Sequence, residues 1–296
     1  MSGGPPGDWA VFRRSRKMDL VYKIALAEAW ALGDPARWRR AETDYLEMQR
    51  ARFGFFENTP RRTSPGDFIA AFRRTAESIW ARGFADDAAP VHIEEGTWEL
   101  VDGHHRLACC LAFGRPCRFA LQPPRRPGQI PVSTFRTFRD GQMAESVENR
   151  GVRAYLRIND RARLVEVAAA GRPEEEAIAA WERETGGVVW HSRRTPSGFA
   201  FTVSYPDGVP PSAPSRVDSA LLAERLFPDL PDPDWRRRAA ELEPAARRLR
   251  LKLLRYRLEL PLRFGHLREK AKWHIAELRC RTTAAVRLAD YLEGAR

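Results

Sequence analysis

Between Trp98 and Ala108 the chain reads Trp-Glu-Leu-Val-Asp-Gly-His-His-Arg-Leu-Ala. A strand-like run ends in Asp102 and Gly103, and His104, His105 and Arg106 open an apolar, helix-forming segment. Backbone N–H groups, two imidazoles and a guanidinium then meet at the head of a helix, a place that attracts anions and phosphate above all. Gly103 permits close backbone approach. Arg106 can grip two phosphate oxygens at once. His104 and His105 can donate or shuttle a proton near neutral pH. Asp102 is the leading magnesium contact, or the base that takes a hydroxyl proton, with Glu99 and Glu95 behind it. The candidate catalytic residues are therefore Asp102, His104 and His105. The candidate cofactor-binding residues are Gly103, His105 and Arg106, and the candidate metal residue is Asp102. The same types also have plainer uses: Asp-Gly suits an ordinary tight turn, and a single histidine often serves a structural hydrogen bond.

Such a group needs a strand before it and a helix behind it. From Pro90 the period is strand-like, with residues 91–93, a Glu-Glu-Gly turn and residues 97–101 forming two strands. Residues 106–113 return to a helix, which Gly114 stops, and 117–121 read as another strand. Ahead of these, 18–32 form a helix ending at Gly33, and Asp34 caps a second helix from 35 to about 52. Residues 53–65 read as a loop, and Asp67 caps a helix over 68–82 that Gly83 ends. The stretch 123–131 is a linker by composition, and 131–137 are a further strand or an irregular return. Residues 153–167 hold one or two strands, 173–184 a helix, 188–191 and 198–204 a hairpin, and 219–227 a short helix. After the spaced prolines of 228–233 come two long helices, 234–258 and 262–293, broken at Leu260-Pro261 because proline lacks a donor and biases its predecessor away from the helix.

These elements predict an α+β chain: a small mixed sheet with helices, an N-terminal helical hairpin and a helical C-terminal region. In segments, 1–17 are a disordered lead, 18–140 hold the sheet and its hairpin, 150–227 a small α+β region, and 234–296 a basic helical hairpin. With 296 residues, 43% of them hydrophobic, the chain can build a core without staples. Cys109, Cys110, Cys117 and Cys280 include an adjacent pair and no CxxC spacing, so they read as reduced, buried small hydrophobes rather than zinc ligands. Residues 1–8 lack the apolar stretch of a signal peptide, and runs such as 107–113 are too short to span a bilayer, which points to the cytoplasm.

The charge is uneven. Between Trp235 and Arg296 stand 17 Lys and Arg against 7 Asp and Glu, leaving 33 against 32 elsewhere. Residues 235–296 can therefore meet nucleic acid or an anionic membrane surface, or pair as helices within the chain or in a homodimer. Arg13, Arg14, Arg16, Lys17 and Lys23 make the N-terminal hairpin basic at its entrance, either for an acidic substrate or as a solvated flank.

From Asp67 to Phe119 the order of signals resembles the ParB/sulfiredoxin superfamily, over residues 67–120 in all. Ser78-Ile79 ahead of Gly83-Phe84 matches that family's helix and glycine exit. Pro90-Val91-His92-Ile93 looks like its first strand, and Glu99 to Arg106 followed by Leu107-Ala108 is similar to its signature strand, phosphate turn and helix. The resemblance implies that fold, with ATP or another nucleoside triphosphate and Mg2+ as cofactors. It gives Gly103 the place of the family glycine, Arg106 that of the phosphate-facing arginine, and His105 that of the sulfiredoxin histidine. His104 departs, because sulfiredoxins carry a cysteine there and the ParB form commonly a glutamate. Without that thiol, sulfinic-acid reduction is excluded. The function this implies is an ATP-dependent phosphotransferase acting on a small hydroxylated molecule or sugar. The alternative is a nucleotide-switched DNA-binding protein of ParB type that uses the basic C-terminal helices, although no clear helix-turn-helix follows Pro131.

Overall fold

The computed structural model describes residues 8–15, 17–58, 61–85, 89–124, 142–169, 171–206, 208–263 and 268–294. Helix α1 (Asp8–Arg14) stands where composition predicts a disordered lead. Its Val11 and Phe12 are fully buried, and the Phe12 ring packs 6.0 Å from Tyr155 and 5.7 Å from Trp190. Tertiary burial of two side chains outweighs the weak local signal.

Helix α2 (Asp19–Leu32) ends at Gly33 in the left-handed region, and the Asp34 side chain accepts from Ala36 and Arg37 N–H to start α3 (Pro35–Phe53). Strands β1 (Glu57–Asn58) and β2 (Arg61–Arg62) pair in the segment expected to be a loop. Helix α4 (Pro65–Arg82) is capped by Ser64 rather than Asp67. Ser64 Oγ accepts from Asp67 N–H while the Asp67 carboxylate accepts from Ser64 N–H, a reciprocal box at the first turn.

Strand β3 (Val91–Glu94), β4 (Leu100–Asp102), α5 (His104–Phe113) and β5 (Phe119–Gln122) follow in the expected order. The sheet runs β4–β3–β5, antiparallel on one side of β3 and parallel on the other, so α5 carries the chain across from β4 to the far edge. The strand or return expected at 131–137 lies outside the described residues.

Residues 153–167 hold one strand, the lesser of the two alternatives expected. Helix α6 (Glu145–Ile158) occupies the first part, and only β6 (Ala162–Ala168) is extended. The buried face of α6 includes Ser146, Asn149 and Gly151, which carry no apolar period to read. Beyond it come α7 (Glu174–Thr185), β7 (Val188–Thr195), β8 (Gly198–Ser204) and α8 (Arg216–Leu226). The second sheet runs β6–β8–β7, all antiparallel. Val165, Phe199, Phe201 and Val203 on one face pack with Ala177 of α7, while Leu164 and Ala200 on the other pack with Ala223 of α8 and Val152 of α6. Alternate residues of each strand thus serve opposite faces.

Helices α9 (Trp235–Arg263) and α10 (Arg268–Gly294) complete the chain. The break expected at Leu260-Pro261 is displaced, since α9 continues through Pro261 to Arg263. A proline in the last turn removes only one late hydrogen bond. One apolar core joins the first three helices, α4, α5, β3 and α6, and it takes in Trp235, Ala284, Leu288 and Ala289 from the final pair. The described cysteines are free, with Cys109, Cys110 and Cys280 buried. Among the described residues no helix is long and apolar enough to cross a membrane.

Glu47, fully buried on α3, holds the start of α6. Its carboxylate accepts from Arg50 Nε at 2.5 Å and Nη2 at 2.8 Å, and from Ala144 N–H at 2.8 Å. Arg50 also donates to the Gln142 carbonyl at 2.7 Å. Glu47→Ala deprives a buried guanidinium of its carboxylate. The expected loss in chemical denaturation is about 3–5 kcal/mol, and a loss under about 1 kcal/mol would show that α6 does not depend on this contact.

Candidate functional site

Helix α5 opens at Gly103, whose φ is 89°. A Cβ there would come within 3.1 Å of the Val91 Cα and 3.3 Å of an Arg106 nitrogen, so both the positive φ and the close approach to β3 favour glycine. No side chain caps this helix. The N–H groups of its first turn, on His104, His105 and Arg106, therefore lack intrahelical partners and aim past the helix end.

The three residues that follow Gly103 face different surroundings. His104 turns inward, its Nδ1 at 2.6 Å from Asp19 Oδ2. That oxygen also receives Lys23 Nζ at 2.5 Å and Arg52 Nη1 at 2.8 Å. Burial by itself would raise the fully buried Asp19 carboxyl, but Arg52, His104 and Lys23 outweigh it and hold the group well below the usual range. Burial pushes His104 down to about 4 despite the attraction of Asp19, and it lowers Lys23 as well. His105 also turns inward. Its Nε2 hydrogen bonds with the Tyr45 hydroxyl at 2.9 Å, and its ring stands edge-on to Phe72 with centroids 5.7 Å apart. Burial first, then the neighbouring Lys23 and Arg62, hold His105 well below its ordinary value. Both rings are tied into the interior by these hydrogen bonds.

Arg106 turns outward instead. It donates to the Ala89 carbonyl, and its Nη2 lies 3.6 Å from Asp102 Oδ2. The Asp102 side chain is 68% exposed. Among the described residues no three His, Cys, Asp or Glu side chains gather to hold a metal ion. Asp102 is an exposed carboxylate, and a magnesium ion there would take its remaining ligands from phosphate oxygens and water.

Arg106 lines a cleft of about 330 Å³ between α4 and the head of α5, together with Arg62, Arg74, Thr75, Ser78 and Phe84. Three guanidiniums and two hydroxyls thus border one small space. Arg62 is held by Glu57 at 2.7 Å, and Ser78 accepts from Arg82 at 2.9 Å. Sequence reasoning reached Ser78 and Arg106 but not Arg74 or Thr75. The spacing of Arg74, Thr75 and Ser78 on one side of α4 was the available signal. It also missed Asp19 and Tyr45 as partners of the histidines. The basic entrance read from the N-terminal hairpin is not a single exposed face: Lys17 and Lys23 are buried, and Arg13 is paired with Asp160 at 2.6 Å.

Below pH 6.5 the unfolded chain protonates His104, while the folded chain, facing Lys23 and Arg52 as well as Asp19, keeps it neutral to about pH 4. The unfolded state binds the extra proton in that window, so this contribution to stability is complete above 6.5 and is lost as pH falls toward 4. The difference in unfolding free energy between wild type and His104→Gln is expected to shrink by about 3 kcal/mol from pH 7 to pH 4. A difference that does not change with pH would show that His104 titrates freely. Comparison with family models, with curated proteins and with solved structures gives no match to the chain.

Proposed function

We propose that this chain binds the phosphates of ATP or another nucleoside triphosphate with Mg2+ in the cleft at the head of α5, and passes a phosphoryl group to a small hydroxylated molecule such as a sugar. The observation that carries this reading is the convergence of Arg62, Arg74 and Arg106 with Thr75 and Ser78 around about 330 Å³ of space, beside an uncapped helix N-terminus. A cleft of that size is at the small end of ligand sites and suits a phosphate chain whose nucleoside lies outside it. The resemblance of the Gly103–Arg106 turn to a nucleotide-binding superfamily supports the same ligand.

Phosphoryl transfer asks the protein chiefly to position the reactants and stabilise charge. Arg106 and the first-turn N–H groups hold the phosphate oxygens, and Arg74 and Arg62 balance charge along the chain of phosphates. The acceptor hydroxyl oxygen forms the new bond to the terminal phosphorus as the bridging P–O bond breaks, its proton passes to Asp102, and the diphosphate departs. His104 and His105 take a different part from the one their types suggest. Neutral and engaged, they fix α5 in place through Asp19 and Tyr45. In the DNA-binding alternative, Arg236, Arg237, Arg238, Arg247 and Arg250 would meet phosphates, but they are engaged with Asp290, Glu293, Glu241 and Glu243.

Calorimetric titration with each nucleoside triphosphate and Mg2+ tests the reading. Arg74→Ala and Arg106→Ala are each expected to weaken binding about ten- to hundredfold, as loss of a charged hydrogen bond does. Asp102→Asn should leave binding near wild type and abolish transfer to hydroxylated acceptors. Absence of triphosphate binding, or binding indifferent to the two arginines, sinks the proposal.

A further inference from the structure

Helix α9 carries two apolar faces. One is turned toward α10, where Leu242 is buried and Leu249 lines a cleft with Ala284 and Ala285. The other points away, with Leu251 65% exposed and Leu254 54% exposed. Exposed Arg247, Arg248, Arg250 and Lys252 flank the outward leucines. Arg247 and Arg250 share Glu243 at 3.5 Å and 2.8 Å, and among the described residues no carboxylate pairs with Arg248 or Lys252. Soluble helices rarely spend leucines on solvent in a row, and a cationic border around them has a specific use.

We propose that this outward face of α9 lies on an anionic lipid surface, with Leu251 and Leu254 entering the boundary between headgroups and acyl chains and Arg248 and Lys252 meeting lipid phosphates. Arginine and lysine suit that depth because their apolar stems lie along the leucines while their charged ends reach the headgroups. The surplus of 17 basic over 7 acidic residues between Trp235 and Arg296 supplies the attraction. A second copy of the chain fits the face poorly, since cations would oppose cations. Nucleic acid would use the cations and leave the leucines in water.

Vesicle co-sedimentation decides the matter. The full chain is expected to sediment with phosphatidylcholine vesicles that contain phosphatidylserine, to remain in solution with phosphatidylcholine alone, and to be released by salt. The double variant Leu251→Ser/Leu254→Ser should lose at least about tenfold in partitioning while its thermal unfolding stays at the wild-type midpoint, because both side chains are already in solvent. Arg248→Gln/Lys252→Gln should weaken binding further and reduce the salt effect. No sedimentation with anionic vesicles overturns the proposal, as does sedimentation that the leucine variant leaves intact. Duplex DNA binding with that same indifference to the leucines would assign the cations to nucleic acid.

Discussion

A single oxygen, Oδ2 of Asp19, receives the side chains of Lys23, Arg52 and His104. A carboxylate with no exposure to water is tolerable only when paired, and here α2, α3 and α5 each supply a partner. The cost of leaving that charge alone constrains how the three helices sit against one another. Because His104 is the first residue of α5, the atom that satisfies Asp19 also sets where α5 begins. The Tyr45–His105 hydrogen bond repeats the tie one residue later, this time to α3. The direction of the first-turn N–H groups and of Arg106 follows from these two anchors.

Three consecutive polar residues can divide their tasks in this way because a helix rotates by roughly 100° per residue. Two of them reach the interior and the third reaches the cleft. Gly103 makes the arrangement possible by bringing the turn against Val91 of β3, closer than a side chain would allow. Lys23 and Arg52 together exceed the charge of Asp19. Burial first, and the neighbouring cations after it, lower both histidines.

The C-terminal helices divide between core and surface. Helix α10 is part of the core through Ala284, Leu288 and Ala289, and it is tied down by Tyr291 to Glu42 at 3.0 Å and Arg287 to the Thr63 carbonyl at 2.6 Å. Helix α9 packs along α10 and leaves its cationic side and two leucines in solvent. Most of the basic surplus of residues 235–296 is therefore carried on the outer member of a pair whose inner member is built into the core.

Capping and periodicity are local, and what depends on them was legible in the amino-acid sequence: the stops at Gly33, Gly83 and Gly114, the start at Asp34, the order α–β–β–α–β, and the Gly103 turn at the head of a helix. The same locality hid α1, whose Val11 and Phe12 follow a Gly/Pro-rich start, and α6, whose buried face includes serine, asparagine and glycine. It also displaced the end of α9 and gave the cap of α4 to Asp67 instead of Ser64. Only the tertiary structure decided which polar residues face inward and which meet the cleft. His104 and Asp19 are 85 positions apart, His105 and Tyr45 are 60 apart, and the arginines that join Arg106 come from β2 and α4. The residue types around Gly103 are written in one short run of the chain, but the protonation state and the role of each are set by burial and by partners that lie far from it in sequence.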